Sequence, residues 1–197
     1  HYIGTTHAMK GELAQAMVHL QRAEELARRT EHTDVLAGVL GDQASIRFLT
    51  GDLDQAARQY REASSLSTDP RRRGWYLSNL ASISVTRERY EEAVPRYEEA
   101  LGILRETGDR RSEGMVLLSM GMARCAMGEV DRCLADSDAA LSHAEEYDQP
   151  LDAARALEVK GHALIDEDRL DEAEPLLRDA TARADELGYF ELQEWAR

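Results

Sequence analysis

The chain is predicted to be all-α, a right-handed superhelical solenoid of antiparallel helical hairpins, and three observations carry that expectation. First, five stretches align without a gap: KGELAQAMVHLQRAEEL from Lys10, TGDLDQAARQYREASSL from Thr50, RERYEEAVPRYEEALGI from Arg87, MGEVDRCLADSDAALSH from Met127 and EDRLDEAEPLLRDATAR from Glu167. Their starts are 40, 37, 40 and 40 residues apart, a period that means stacked units rather than one globular core. Second, four columns fall at i, i+3, i+7 and i+10, one stripe along an α-helix. They hold Leu13, Leu53, Tyr90, Val130 and Leu170; Ala16, Ala56, Ala93, Cys133 and Ala173; Leu20, Tyr60, Tyr97, Ser137 and Leu177; and Ala23, Ala63, Ala100, Ala140 and Ala180. Third, a second helical pattern lies upstream of each later block. It places Leu40, Leu77, Leu117 and Leu157 in one column, with Ala44, Ala81, Gly121 and Gly161 four residues on and Gly4 in the same register.

Taken in order, residues 1–29 are expected to form a partial repeat: Ile3 and Gly4 late in a first helix, then a turn just before Leu13 and a second helix. Full repeats follow at about 34–69, 70–108, 110–148 and 150–188, and residues 189–197 enter a further first helix. Each is a hairpin joined by a short turn such as Thr50-Gly51-Asp52 or Met127-Gly128-Glu129. It can bury its apolar stripe only against its neighbours. Helical glycine is unfavourable by about 1 kcal/mol relative to alanine, so its recurrence at Gly121 and Gly161 predicts a close helix contact. The 37-residue step has a local cause. Ser67-Thr68-Asp69-Pro70 should end its helix near Ser67, about one turn early, because proline disfavours helix at the preceding residue. About nine to ten helices and no sheet are expected. Because the pattern is interrupted at both ends, the chain is expected to be a piece of a longer protein.

The columns, the Gly-Asp turn and the paired alanines resemble the tetratricopeptide repeat family over almost the whole chain. The usual period there is about 34 residues; this one is similar to the long-repeat variety of bacterial regulators and scaffold proteins. The resemblance implies that one face of the first helices lines a concave groove.

Composition narrows the function. The net charge is −14, from 38 acidic and 24 basic side chains, a balance that repels phosphate backbones and anionic membranes. The basic clusters Arg71-Arg72-Arg73 and Arg110-Arg111 each precede a first helix and read as solvated loops. No apolar run approaches the roughly 18 residues a membrane span needs, and no signal peptide precedes the repeats. The two cysteines, Cys125 and Cys133, flank one turn; Cys133 replaces a buried alanine, so a reduced, packed thiol is expected, with a redox pair as the alternative. These features point to the cytoplasm.

No catalytic, cofactor-binding or metal motif is present. The nearest approach is Glu158, His162 and Asp166 at i, i+4 and i+8, with Arg155 before them; a ladder of ion pairs explains that spacing equally well. The stronger lead is Ser112–Met127, where apolar residues are not confined to one stripe. Met115, Leu118, Met122 and Cys125 occupy a second face, and a helix apolar around most of its circumference must bury more than its hairpin contact. The corresponding positions are Gly38, Gly41, Ser45 and Phe48, then Trp75, Ser78, Ser82 and Val85, then Arg155, Glu158, His162 and Ile165. The implied concave groove has Phe48, Trp75, Ser78, Ser82, Val85, Met115, Leu118, Met122, Arg155 and His162 as candidate binding residues. Methionines and an aromatic suit an apolar helix or peptide segment. Packing between repeats, or docking of another domain of the same chain, would explain the strip as well.

The functional expectation is a protein- or peptide-binding scaffold, the sensor or interaction arm of a larger cytoplasmic regulator, with no direct contact to nucleic acid or membrane. The alternatives are an accessory repeat domain of a multidomain enzyme such as a switch ATPase or protease, or a purely structural oligomerising array.

Overall fold

The computed structural model describes residues 2–188, with side chains from residue 12 onward. Among these residues there are nine helices and no strand: α1 (Tyr2–Arg29), α2 (Thr33–Leu49), α3 (Leu53–Leu66), α4 (Pro70–Thr86), α5 (Tyr90–Thr107), α6 (Arg110–Ala126), α7 (Val130–Glu146), α8 (Pro150–Asp166) and α9 (Leu170–Glu186). The further helix expected over 189–197, like Gly4 as a packing position, lies outside the residues whose side chains are described. None of the described helices is long and apolar enough to cross a membrane.

One expected turn is missing. α1 runs unbroken through Lys10 and Gly11, because a single helical glycine costs about 1 kcal/mol, less than ending one helix and nucleating another. The early stop is present: α3 ends at Leu66 with Ser67 extended at ψ 128°. The chain beyond is anchored rather than loose. The Thr68 backbone N–H and hydroxyl both donate to the Asp34 carboxylate, at 2.8 and 2.7 Å, and together they hold Asp34 below the usual carboxylate range.

The turns share one device. Gly51 and Gly128 take left-handed φ values of 84° and 73°, and the equivalent turns place Glu88 and Asp168 at 58°. A side chain is unfavourable there by about 1 kcal/mol. Gly128→Ala should therefore lower stability by about 1 kcal/mol and Glu88→Gly should raise it by roughly 0.5–1 kcal/mol, read as midpoint shifts in urea. Shifts of the same sign in both variants would contradict this account.

The helices cluster into two compact units, His1–Ile83 and Ser84–Arg197. In the first, Leu36, Leu40, Ala44, Ala56, Tyr60, Ala63, Tyr76 and Ile83 form one core, with Phe48 and Leu53 packed against it. Gln59 donates to Gln43 inside it, and Gln43 donates to Glu24 at 2.9 Å. In the second unit successive helices pack in order, and α6 also touches α8 directly. The small columns are buried as their pattern requires, including Ala93, Ala100, Ala140, Ala173 and Ala180. Gly161 is a contact glycine: a Cβ built there would lie 2.6 Å from Leu177 Cγ.

Ala100 has no exposed surface, so Ala100→Leu should destabilise by about 1–3 kcal/mol through overpacking. A back-face control needs care. Glu98 is exposed as expected, yet its carboxylate accepts from Arg124 Nη2 at 2.7 Å. Glu99, also exposed, is the cleaner control, with Glu99→Ala expected to change stability by less than about 0.5 kcal/mol. Equal chemical-denaturation midpoints for the Ala100 and Glu99 variants would show that the faces are misassigned.

Two polar clusters tie the second unit together. Glu113, buried on α6, accepts from Arg105 at 2.8 Å and Arg110 at 2.7 Å, with His143 Nε2 of α7 at 3.5 Å. Arg124 lies 2.6 Å from the buried Asp136 carboxylate.

Candidate functional site

The helices α2, α4, α6 and α8 carry the sequence-predicted residues. In the first unit, Phe48 is half-buried against the core, so it contributes mostly to packing. Trp75 is 37 % exposed. Its indole stands edge-on to two tyrosine rings, with centroids 5.8 Å from Tyr60 and 5.4 Å from Tyr76. Those rings fix its orientation, since edge-to-face pairs are favoured over sandwiches. Ser78 and Ser82 are half-buried, and their hydroxyls donate back to the Trp75 and Ser78 carbonyls at 2.8 and 3.1 Å. The Asn79 amide does the same to Trp75 at 2.8 Å. Facing α4 from α2, Asp42 is exposed at the surface, and partial desolvation by its neighbours pushes its carboxyl up against the pull of Arg72.

In the second unit, Met115 and Met122 are 49 % and 52 % exposed on α6. They lie seven residues apart, two turns along one face. Between them Ser119 donates its hydroxyl to the Met115 carbonyl at 3.0 Å. Leu118 corrects the sequence expectation: only 7 % of it is exposed. It stands one turn from both Gly114 and Gly121, which face His143 of α7 and Asp136 of α7 at close range, so it turns toward the packed side of α6. Val85, at the end of α4, is half-buried.

On α8 the face turns polar as expected. Arg155 is exposed, 4.0 Å from Asp152, and His162 Nε2 lies 4.0 Å from the Glu158 carboxylate. Burial pushes the Glu158 carboxyl up, with His162 and Arg155 pulling the other way. Among the described residues no three His, Cys, Asp or Glu side chains converge as a metal site. The Glu158–His162 pair is a ladder rung.

At two of the four levels the open side is offset by one residue from the spacing read in the sequence: Asp42 is exposed where Gly41 is buried, and Ser119 is half-buried where Leu118 is buried. Ser78 and Asn79, like Glu158 and Val159, are all half-buried. At 100° per residue, steps of three and four both keep to one face, so a 4-3 spacing from Met115 through Ser119 to Met122 is as regular as the 3-4 spacing through Leu118. The cysteines also depart from expectation. Cys133 is fully buried, yet it is disulfide-bonded to Cys125 across the α6–α7 turn, with Cα atoms 5.2 Å apart. That spacing lies within the range that allows the bond, and the eight-residue separation brought the two together where α6 and α7 meet.

Against this geometry, the sequence profile of the tetratricopeptide repeat family matches residues 36–106. A sequence comparison with curated proteins gives no match. Solved structures of similar fold include the apo form of RapI, with TM-score 0.84 and 14 % identity, covering 95 % of this chain and 69 % of that one. Another is the kinesin light chain TPR-like repeats of Podosopora anserina, with TM-score 0.72 and 14 % identity, covering 95 % and 94 %. A third is YrrB, described as a TPR protein with an unusual peptide-binding site, with TM-score 0.61 and 16 % identity, covering 89 % and 80 %. At these identities the likeness is one of fold.

Proposed function

We propose that this all-α array of helical repeats, whose residues 36–106 match the tetratricopeptide repeat profile, is a protein- or peptide-binding scaffold, the interaction or sensor arm of a larger regulator. The observation that carries this reading is the exposure of Met115 and Met122 on α6. Val116, Leu117 and Met120 of the same helix are almost fully buried, so α6 already has its packing and the two thioethers are surplus to it. Unbranched, polarizable side chains in line on a surface suit an apolar segment of irregular shape. The peptide-binding site of the similarly folded YrrB supports a ligand of this class.

The proposed contact residues are Met115, Met122 and the neighbouring Arg155 and His162 in the second unit. In the first unit they are Trp75 with Ser78 and Ser82, and Phe48 and Val85 act as supports for the two faces. Because polar groups on α4 already satisfy their hydrogen bonds along their own helix, Trp75 offers mainly apolar area, which favours it as an anchor. A partner would act on an attached domain by binding two arrangements of the regulator unequally, since a ligand shifts an equilibrium only by its differential affinity. The array itself contributes binding and not catalysis.

The test pairs binding with stability. Peptides selected from a displayed random library on the parent protein should bind Met115→Ser/Met122→Ser at least about tenfold more weakly, roughly 1.4 kcal/mol. Thermal melts of parent and variant should coincide, because both residues are half exposed. A variant that melts well below the parent, or that keeps full affinity, would overturn the assignment of this face.

A further inference from the structure

The acidic excess of this protein is not spread evenly. Residues 84–188 hold 26 acidic and 13 basic side chains, whereas residues 1–83 hold 10 of each. The exposed methionines belong to the acidic unit. In the repeat register Met115 is level with Arg155, Met122 with His162, and Ala126 with Asp166, and α6 touches α8 directly. On α8 that register carries the polar Arg155 and His162, and one exposed apolar side chain, Ile165 at 40 %, follows one turn after His162. At that end of α8 the chain places Asp166, Glu167 and Asp168 in sequence, all exposed. That is also the end where α6 and α8, running in the same direction, present their last carbonyls and the negative ends of their dipoles. Arg169 beside them is engaged by Glu172 at 2.8 Å. Arg155 lies toward the other end, close to Asp152.

We propose that the segment received by the α6–α8 face is a cationic amphipathic helix, its apolar stripe on Met115, Met122 and Ile165 and its Lys or Arg residues toward Asp166–Asp168. The proposal rests on the binding role argued above and names the partner chemistry for that face. Three features favour this occupant over a neutral or acidic segment. The unit's field attracts cations and raises their encounter rate. Asp166 directly follows Ile165 in the chain, so a Lys or Arg at one end of a helix laid along the strip comes within a Debye length, about 8 Å at physiological salt, of the carboxylates, which gives the contact a direction. An apolar stripe with a basic flank is the pattern by which helices dock in grooves. A second copy of this chain would bring like charge to the same place and is disfavoured.

The probes are three synthetic helices of about 14 residues, four turns, with leucines at i, i+3, i+4 and i+7 and the remaining positions Lys, Gln or Glu. Fluorescence anisotropy on the whole chain should rank them Lys, Gln, Glu. The Lys helix should lose about tenfold in affinity on raising salt from low to physiological strength and beyond. It should lose a similar factor on Asp166→Asn/Glu167→Gln/Asp168→Asn, and more on Met115→Ser/Met122→Ser. Equal affinity of the Lys and Gln helices, with both lost in the methionine variant, would overturn the cationic partner and leave the binding face standing. Lys binding unaffected by the methionine variant would show charge attraction alone and overturn the proposal. If none of the three binds while library-selected peptides still bind the Met115–Met122 face, the cationic helix is overturned and the binding face stands.

Discussion

Tyr60→Ala should lower the stability of the first unit by about 3–5 kcal/mol, the range for removing a fully buried aromatic. Tyr60 is 1 % exposed and three losses coincide there. Its ring area returns to water as a cavity, its hydroxyl no longer meets Ser45 Oγ at 3.0 Å, and its contacts with Trp75 and Tyr76 disappear. Tyr60→Phe separates the terms. It keeps the ring and removes one hydrogen bond, so about 0.5–1.5 kcal/mol is expected; Ser45 keeps its bond to the Gly41 carbonyl at 3.0 Å. The alanine variant should also shift Trp75 fluorescence to longer wavelength, since the indole loses its edge-on support. In repeat arrays damage stays close to its source, so the effect should appear in hydrogen exchange of α2–α4 before it appears in α8–α9. A variant that melts with the parent, or loses α8–α9 protection first, would show that Tyr60 is not the keystone of this core.

Glu113→Gln should destabilise the second unit by about 1–3 kcal/mol at neutral pH, the range for leaving a buried hydrogen-bonding group mismatched. The lower half is favoured, because Arg105 and Arg110 are half exposed and can turn to water. The pH dependence gives the sharper signature. Burial pushes the Glu113 carboxyl up, but hydrogen bonds from Arg105 and Arg110 and the nearby His143 outweigh it and hold the carboxyl below its ordinary value. A carboxyl whose folded pKa is depressed contributes stability that is fully present above the unfolded pKa, about 4.3, and lost as pH falls through the folded value. The difference between parent and Gln variant should therefore persist above about pH 5 and close below about pH 4. A difference that widens on acidification would mean that the carboxyl is held protonated rather than ionised.

Much of this structure was readable from local pattern. The alanines of the repeated column are buried, from Ala63 to Ala180, because a stripe at helical spacing must face a neighbour whichever way the neighbour runs. α3 ends at Leu66 because Pro70 and the polar residues before it act on the chain within a few bonds. The apolar strip was legible too, but not its fate: Met115, Met122 and Trp75 are exposed while Leu118 of the same strip is buried.

From Thr33 onward the sequence by itself determined the helical hairpins and which alanines are buried, since those follow from periodicity and steric size within each repeat. Only the tertiary structure decided the phase of the exposed stripe, which buries Leu118 and exposes Asp42, and the meeting of Glu113 with Arg105, Arg110 and His143 from three helices. It also decided the closure of Cys125 on Cys133 and the continuation of α1 through Gly11. Each of these depends on the angle at which one helix crosses the next. A few degrees of rotation move a side chain from one face to its neighbour, and nothing in a 3.6-residue period records that angle.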